Sequence, residues 1–317
     1  MVISSRNVAG NLIKPPAVEP GDTVGIVASA AAIERGHLER GIGVLGGLGF
    51  KVKVSERALA RDGILAGTDL ERATELAAFF ADPDVKAIFG ARGGYGTGRL
   101  LPLLDFAAIA RTPKAFIGFS DSTFLLNALI SRSSIVCFHG PMVAMDFARG
   151  LTARSLDHMR LLLSGEITEF TLEAREVIRP GVAEGELIGG CLSVVTAMLA
   201  TPYLPTFDGR ILFLEDTGEK AYRIDRMLVQ LKQAGIFDRV AGVVFGAFRP
   251  PEGSEFEARL TAAFVAEQTS NLRCPVLSGI EAGHGTENLT LPFGVRAIVD
   301  GRNSRLIVTE AAVTKGN

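Results

Sequence analysis

Residues 115–125 read AFIGFSDSTFL, an apolar run that ends in a cluster of small and polar residues. The apolar run predicts a buried strand, and the residues from Thr123 onward predict a helix that begins at once. A nucleophile on so sharp a strand-to-helix turn needs small residues two positions before and after it, because the backbone is crowded there. Gly118 and Ser122 occupy those positions around Ser120, which is therefore a candidate nucleophile.

The same turn offers a candidate oxyanion donor. The amide of Asp121 lies at the N-terminus of the predicted helix, where free backbone N–H groups favour negative charge. An ordinary serine or aspartate helix cap after a strand gives the same local sequence. The turn alone leaves both interpretations open.

Outward from this turn, strands alternate with helices over the first half of the chain. Short connections in such an alternation predict a parallel sheet with helices on both faces. We therefore predict one α/β domain over residues 1–165, which carries Ser120. The predicted strands are 21–28, 51–54, 85–89, 115–119 and 135–138, and the predicted helices are 33–48, 70–81, 123–129 and one that begins at 99.

The second half of the chain has a different character. Residues 166–184 contain β-branched residues and Pro180 without a helical stripe, which predicts a linker with a strand or two. Residues 185–317 predict a second, smaller α/β domain that is rich in strands. Its first elements are an apolar helix after Gly190 and strands at 211–214 and 240–245.

The composition excludes several classes of protein. The 317 residues carry 33 basic and 35 acidic side chains, and the net charge of −2 gives no electrostatic reason to expect nucleic acid or a membrane as partner. The uncharged run 187–207 contains prolines and paired glycines, which favour a buried helix closed by a turn over a membrane span. The first twenty residues hold no signal-peptide core, and three cysteines without CxxC spacing predict neither disulfides nor a zinc site. We expect a cytoplasmic protein without a metal.

A serine nucleophile needs a base, and the chain has four histidines. His37 and His158 stand among charged residues of predicted helix surfaces, where solvent-facing roles suit them. His139 follows the next predicted strand after Ser120, and His284 lies between two glycines in a polar loop that lets a ring project into a cleft. A structural histidine is the alternative for each of these two, and sequence position alone does not choose between them.

A carboxylate is expected to orient the imidazole and to stabilise its cation. Glu215 ends the apolar strand ILFL, where a buried charge needs a partner, and Asp216 is the neighbouring competitor. Carboxylates also end strands because they are well solvated there, so this signal is weak by itself.

The glycine-rich segment 90–98, GARGGYGTG, predicts a close approach of the backbone to a ligand. It follows a strand and precedes a helix, as phosphate loops do, but its spacing is neither GxGxxG nor GK[ST] and it does not follow the first strand. A second oxyanion donor beside Asp121 fits the segment better. Arg92 within it is a candidate for binding a substrate carboxylate, with a plain surface charge as the alternative.

Taken in order, these motifs resemble the LD-carboxypeptidase family, which includes the microcin-immunity peptidases. Each motif is weak alone, but the ordered series is specific and spans about residues 21–299. The series comprises Arg92-Gly-Gly-Tyr-Gly, Gly118-Phe-Ser-Asp, His139-Gly-Pro, Gly189-Gly before Leu-Ser, Leu214-Glu-Asp with Glu219 and Arg226, and Gly283-His-Gly.

The resemblance implies a serine peptidase that cleaves the amide between an L-configured centre and a terminal D-amino acid. The typical substrate is the murein tetrapeptide, which loses D-alanine during cell-wall recycling in the cytoplasm. Ser120 would be the nucleophile, Glu215 the acid and His284 the base, with His139 in a structural role. The resemblance also implies an α/β domain with the serine, a smaller β-rich domain with the other two residues, a homodimer, and no metal or cofactor.

The amides of Asp121 and Gly94 carry over from the family as oxyanion donors. Cys191 stands where the family often has asparagine, which removes an amide from that position. The microcin branch typically stacks a nucleobase on tryptophan, and this chain has none, which favours the cell-wall branch. The alternatives are a microcin-immunity-type peptidase that cleaves peptidyl-nucleotide antibiotics and a non-catalytic α/β module that binds a nucleotide or another ligand.

Overall fold

The computed structural model describes residues 12–315, which form two sheets with helices packed on them. Residues 1–11, which hold most of the segment searched for a signal peptide, and residues 316–317 lie outside the described residues. Between residues 12 and 315, no helix is long and apolar enough to cross a membrane. The uncharged run 187–207 contains the end of a strand and the short helix Leu192–Ala197.

The described residues contain strands and α-helices in the following order. The strands are β1 (Thr23–Val27), β2 (Lys51–Val54), β3 (Val85–Gly90), β4 (Ala115–Gly118), β5 (Cys137–His139), β6 (Phe170–Glu173), β7 (Glu176–Arg179), β8 (Val182–Cys191), β9 (Ile211–Thr217), β10 (Gly242–Arg249), β11 (Val276–Gly283), β12 (Leu291–Phe293), β13 (Arg296–Asp300) and β14 (Arg305–Val308). The helices are α1 (Arg35–Gly47), α2 (Asp69–Ala81), α3 (Phe106–Arg111), α4 (Thr123–Ala128), α5 (Ala153–Leu163), α6 (Leu192–Ala197), α7 (Ala221–Gln233) and α8 (Glu255–Thr269). Short 3-10 helices at Thr97–Leu103, Ser120–Ser122 and Pro251–Gly253 and π-helical turns at Leu129–Ser133 and Val143–Phe147 complete the order.

The first sheet has the strand order β12-β5-β4-β3-β1-β2. Strands β1 to β5 are parallel, as the alternation of strands and helices predicts. Strand β12 comes from the far end of the chain and adds antiparallel to β5. The parallel strands read as continuous apolar runs because both faces of the sheet are covered, and all four residues of β4 are buried.

The second sheet has the strand order β6-β14-β13-β8-β9-β10-β11-β7. Its centre, β8 to β11, is parallel, and the strands on either side are antiparallel. The segment 166–184, expected as a linker with a strand or two, supplies β6, β7 and the first residues of β8. This segment is therefore part of the second sheet. The architecture as a whole is the predicted α/β class, with a strand-rich second unit.

Helix α2 shows how the local sequence determines an element. Thr68 and Glu71 form a capping box, in which each side chain accepts a hydrogen bond from the backbone N–H of the other residue. Leu76 and Phe80 lie four residues apart on one helical face, and both are buried against the first sheet. The capping box and the apolar stripe both indicate this helix, so it can be predicted from the sequence.

The connection from β11 to β12 brings the two sheets together. Strand β11 belongs to the second sheet, whereas β12 pairs with β5 in the first sheet, with Leu291 opposite His139. The loop between them contains His284 and is therefore anchored in both sheets. This crossing carries a residue from the second half of the chain to the edge of the sheet that holds Ser120.

Candidate active site

Ser120 begins the 3-10 turn that follows β4, and its φ of 57° lies in the left-handed region. A non-glycine residue there is strained, which is typical of a nucleophile held on a strand-to-helix turn. A Cβ atom on Gly118 would lie 2.9 Å from the Ser122 hydroxyl oxygen. Both small residues are needed because the turn folds back on its own strand, as the sequence pattern predicts.

The glycine-rich loop lies directly against this turn. A Cβ atom on Gly93 would lie 2.9 Å from Ser120 Oγ and 3.3 Å from the backbone nitrogen of Asp121. Gly94 follows with a φ of 106°, a conformation that suits glycine. The loop therefore brings the backbone around Gly94 close to the turn that holds the Asp121 amide. Gly93 was not among the predicted site residues, although the glycine pair in RGGYG was the available signal.

The carboxylate of Asp121 ties the loop to the turn. It is buried and accepts a hydrogen bond of 2.8 Å from the backbone N–H of Thr97. Burial raises the pKa of Asp121, and the Thr97 bond and the charge of Arg72 act against this increase. A phosphate at this loop would need the amide of Thr97, the first residue of the 3-10 helix, and Asp121 already occupies it. The geometry thus argues against a phosphate loop.

Arg72 binds the glycine-rich loop and was not predicted from the sequence. Its guanidinium is buried, donates to the carbonyl oxygens of Ser29 and Gly96, and pairs with Asp69 at 2.5 Å. A buried arginine is stable only when its charge is paired and its N–H groups are satisfied, as here. Its position on the buried face of α2, four residues before Leu76, was the signal that sequence offered.

Glu215 and His284 form a buried ion pair at the end of β9. One oxygen of Glu215, Oε2, accepts from the ring Nδ1 of His284 at 2.5 Å and from its backbone N–H at 3.1 Å. Glu215 is fully buried. Gly283 precedes the histidine with a φ of 91°, and a Cβ atom there would collide with the Glu215 carboxylate. A glycine before His284 is therefore needed so that the Glu215 carboxylate can lie close to the backbone there.

The two groups shift each other's pKa in opposite directions. Burial alone would raise the pKa of Glu215, but the charge of His284 and the contacts with His139 and His284 outweigh it and lower the pKa to about 2. Burial alone would lower the pKa of His284, but Glu215, with smaller contributions from Asp216 and Asp146, raises it above the ordinary 6.5. Glu215 is therefore charged at neutral pH and favours a proton on His284.

Asp216, the competing carboxylate, has different partners. Its Oδ2 accepts from the backbone N–H of Ser193 at 2.7 Å, in the first turn of α6, and its Oδ1 accepts from the N–H of Thr217 at 2.7 Å. Burial and the charge of Glu215 raise the pKa of Asp216 to about 6. The structure therefore places Glu215, and not Asp216, in contact with an imidazole.

The remaining histidines lie in three different surroundings. His139 is fully buried, with Nε2 3.6 Å from Oε1 of Glu215. His158, expected on a solvent-facing helix surface, is partly buried instead: its Nε2 lies 3.0 Å from the carbonyl oxygen of Thr290, and its ring packs edge-on against Phe170. That expectation was wrong because α5 packs against the second half of the chain. His37 is half-buried on α1.

Contacts between the two halves of the chain position the serine turn relative to Glu215. Thr123, directly after the turn, accepts at Oγ1 from the backbone N–H of Cys191 at 3.1 Å. Cys191 is paired with Glu215 in the parallel register of β8 and β9. A Cβ atom on Gly190 would lie 2.6 Å from the Thr123 hydroxyl oxygen, so this glycine lets the two elements meet.

The serine turn also contacts the histidine directly. The ring of Phe119, the residue before Ser120, lies 4.6 Å from the ring of His284, measured between centroids. The structure thus brings Ser120, Glu215 and His284 into one region. Arg92 lies on the glycine-rich loop, where Nη1 donates to the carbonyl oxygen of Ala32 at 3.0 Å and Nε has no hydrogen-bond partner among residues 12–315.

A serine on a strained turn beside a buried acid–imidazole pair is the arrangement of serine peptidases, and this chain is one. It belongs to the LD-carboxypeptidase family, since the models of that family's N-terminal and C-terminal domains match residues 24–140 and 184–299. The resemblance inferred from the ordered motifs is thereby confirmed.

Named relatives extend the likeness to the full length of the chain. Over 308 residues, 96% of each chain, it is 36% identical to a probable murein peptide carboxypeptidase of Bacillus subtilis strain 168. It is 29% identical to the microcin C7 self-immunity protein MccF of Escherichia coli, over 92% of this chain and 94% of that one. Among solved structures, muramoyltetrapeptide carboxypeptidase from Oxalobacter formigenes has a TM-score of 0.82 and 34% identity, over 92% of this chain and 100% of that one.

Proposed function

We propose that the protein is a serine LD-carboxypeptidase that removes the terminal D-alanine from murein tetrapeptides in cell-wall recycling. The observation that carries the proposal is the 2.5 Å contact between Glu215 and His284 beside the strained turn of Ser120. The names of the relatives from Bacillus subtilis and Oxalobacter formigenes support the murein peptide as substrate.

In this mechanism, Ser120 Oγ attacks the carbonyl carbon before the D-residue, and His284 accepts the hydroxyl proton at Nε2. Glu215 holds the Nδ1–H of His284 and stabilises the imidazolium. The proton then passes to the leaving amine, which departs as D-alanine and leaves an acyl-enzyme on Ser120. Water, activated by His284, hydrolyses that ester and frees the tripeptide.

The negative charge on the tetrahedral oxygen needs donors that are in place before the reaction. The amides of Asp121 and Gly94 take this role, since the loop of Gly94 and the turn of Asp121 are held together by the bond between Asp121 and Thr97. Loss of one oxyanion donor costs about 3 kcal/mol in the barrier.

Arg92 is the candidate for binding the terminal carboxylate of the substrate. Its Nη1 is fixed by Ala32, whereas its Nε is unpaired within residues 12–315. The Nε atom is buried, so the remaining N–H groups of the guanidinium would bind the carboxylate, and a terminal carboxylate is what distinguishes a carboxypeptidase substrate. Binding of the terminal carboxylate by Arg92 would explain why cleavage takes place at the end of the peptide.

The test is mass spectrometry of the protein incubated with L-Ala-γ-D-Glu-diaminopimelate-D-Ala. Wild type should release one alanine, and Ser120→Ala should lower the turnover by about 10⁴-fold or more while it leaves the fold intact. Ser122→Ala is the matched control, because its hydroxyl lies in the same turn and, within residues 12–315, has no hydrogen-bond partner besides the sulfur of Met142, at 3.9 Å. Normal turnover by Ser120→Ala would refute the mechanism.

Two other arms of the same experiment separate the alternatives. Aspartyl sulfamoyl adenosine, the ligand of one MccF structure, represents the microcin-immunity branch. Cleavage of that compound and not of the tetrapeptide would retain the three catalytic residues and change the substrate. Binding of adenylate without any turnover would favour a non-catalytic module.

We also propose that the enzyme works in the cytoplasm as a homodimer, as the family resemblance implies. Cys137, Cys191 and Cys274 are free and buried, which suits a reducing compartment. Light scattering of the purified protein checks the assembly: twice the mass of one chain is expected, and the mass of one chain would contradict the dimer.

A further inference from the structure

Glu215 uses only one of its two oxygens in the contact with His284. Its other oxygen, Oε1, has no hydrogen-bond partner in the described part of the chain, and neither have the two ring nitrogens of His139. Both side chains are fully buried. Buried polar atoms without a partner are rare in native proteins, so two of them that lie close together, Nε2 of His139 and Oε1 of Glu215, need an explanation.

The unpaired atoms face each other across a short gap. The Nε2 atom of His139 lies 3.6 Å from Oε1 of Glu215, roughly half an ångström beyond a hydrogen bond. Only a small movement of either side chain closes the contact.

We propose that His139 is a positioning residue whose Nε2–H donates to Oε1 of Glu215, so that the carboxylate is held between two histidines. The inference deepens the proposed function, on which it rests, by adding a positioning residue behind the three catalytic residues. His284 takes the proton from Ser120, and His139 fixes the carboxylate that orients His284.

Among residues 12–315, the surroundings of His139 give its ring nitrogens no hydrogen-bond partner. Its ring packs against three aromatic rings, at centroid distances of 5.7, 5.2 and 5.4 Å, which belong to Phe119, Phe213 and Phe293. Its backbone lies in β5, opposite Gly118 of β4 and Leu291 of β12. A histidine so enclosed is held rigidly, which is what a residue that positions another group requires.

His139 also links the two halves of the site. It stands on the strand next to β4, which leads into Ser120, and its side chain reaches Glu215 on β9 of the other sheet. The contact therefore helps to fix Glu215 relative to the serine turn. A phenylalanine at this position would suit the aromatic surroundings but would leave Oε1 of Glu215 without a donor.

The activity test compares wild type with His139→Gln, which keeps an N–H donor, and His139→Phe, which removes it. His139→Phe should lower kcat by about 100-fold with little change in KM, whereas His139→Gln should retain most of the activity. Without the donor, Glu215 becomes a stronger base towards His284, so the acid limb of kcat/KM should move to higher pH. Asp216 and Asp146 also act on His284 but are unchanged in both variants.

A merely structural histidine predicts a different result. Its replacement would lower the melting temperature and leave the acid limb where it was, with Gln no better than Phe. That outcome, or a folded His139→Phe protein with wild-type kcat/KM, overturns the proposal.

A second measurement needs neither turnover nor a folded variant at position 139. Nitrogen-15 NMR of histidine-labelled Ser120→Ala protein reports which ring nitrogens carry protons, and with four histidines the assignment is tractable. A proton on Nε2 of His139 that exchanges slowly with water is expected, and an unprotonated Nε2 overturns the proposal. If the tetrapeptide is not cleaved but Nε2 carries that proton, the substrate assignment fails and the positioning role stands.

Discussion

The loop and turn around Ser120 are assembled from residues 90–125, whereas Glu215 and His284 meet across 69 residues of chain. We call these the serine half and the acid–base half. In the serine half the decisive contacts are close approaches of the backbone within 36 residues of chain, such as that of Gly93 to Ser120. In the acid–base half the contacts depend on strand pairing in two sheets.

This difference determines what each half is sensitive to. The serine half is defined by close packing of backbone, so an added methyl group is the damaging change. The acid–base half is defined by a charge buried with its partner, so loss of that charge is the damaging change. Matched substitutions in the two halves should therefore fail for different physical reasons.

The largest effect is expected for Glu215→Gln in the acid–base half. Glutamine keeps the size of the side chain but removes the charge that stabilises the imidazolium of His284, and kcat should fall by about 10⁴-fold. The pKa of His284 is raised mainly by Glu215, and His284 must be neutral to accept a proton. In wild type, activity should thus be lost as the pH falls through the pKa of His284, which lies above 6.5. In the variant, the acid limb of the pH–rate profile should move to lower pH because the pKa of His284 is no longer raised by Glu215.

The adjacent residue supplies the control for this experiment. Asp216→Asn changes a carboxylate one position along the same strand, but within residues 12–315 the Asp216 carboxylate accepts hydrogen bonds only from the backbone of Ser193 and Thr217. We expect kcat within about 10-fold of wild type, since no reacting group loses its partner. The pH–rate profiles of both variants are measured. Equal losses of kcat in Glu215→Gln and Asp216→Asn would contradict the assignment of Glu215 as the catalytic acid.

A smaller effect is expected for Gly93→Ala in the serine half. The added Cβ atom would lie 2.9 Å from Ser120 Oγ, closer than packed atoms allow, and must displace the nucleophile or the loop. A displacement of the nucleophile by about 1 Å costs about 100-fold in kcat. The pH profile should not move, because the Glu215–His284 pair is untouched.

Gly43→Ala is the control for steric change, since a Cβ atom at Gly43 in α1 meets nothing within 4 Å. It should retain wild-type kcat. Steady-state kinetics with the tetrapeptide compare the two variants, and a Gly93→Ala enzyme as active as Gly43→Ala would show that the loop is not in close contact during the reaction.

The serine half could be predicted from sequence because its signals are local. Gly118, Ser120 and Ser122 lie within five residues, and the alternation of strands and helices placed them at the end of a parallel strand. Arg72 and the carboxylate of Asp121 were missed, since the backbone atoms that they bind, in Gly96 and Thr97, are brought near by the fold. No motif spacing records such contacts.

The acid–base half could not be resolved from spacing alone. His139 follows a predicted strand and His284 lies in a predicted polar loop, and the structure explains the ambiguity, because they face different oxygens of Glu215. The register of β8 with β9 and of β5 with β12 creates this arrangement, and strand register between distant segments is not encoded locally. The segment 166–184 shows the same limit, since its strands pair with partners far along the chain.

The smallest effect is expected for Glu287→Gln, which loosens the loop that carries His284. Glu287 Oε2 accepts from the hydroxyls of Thr152 and Ser155 in the first turn of α5 and just before it, each at 2.6 Å. Loss of the charge should cost about 1 kcal/mol of stability and lower kcat only a few-fold, with the pH profile unchanged. Thermal unfolding and steady-state kinetics measure the two effects.

The pH dependence of that stability loss has a defined sign. Hydrogen bonds from Ser155 and Thr152 lower the pKa of Glu287, so its stabilising contribution is present above the ordinary value of 4.5 and is lost as pH falls through the lowered pKa. The melting temperatures of wild type and Glu287→Gln should therefore converge in acid. Glu281→Gln is the control, because in the described part of the chain the Glu281 carboxylate pairs only with the exposed guanidinium groups of Arg154 and Arg175, and such pairs contribute little. A difference between wild type and Glu287→Gln that persisted in acid would mean that packing, and not the charged hydrogen bonds, holds the histidine loop against the first half of the chain.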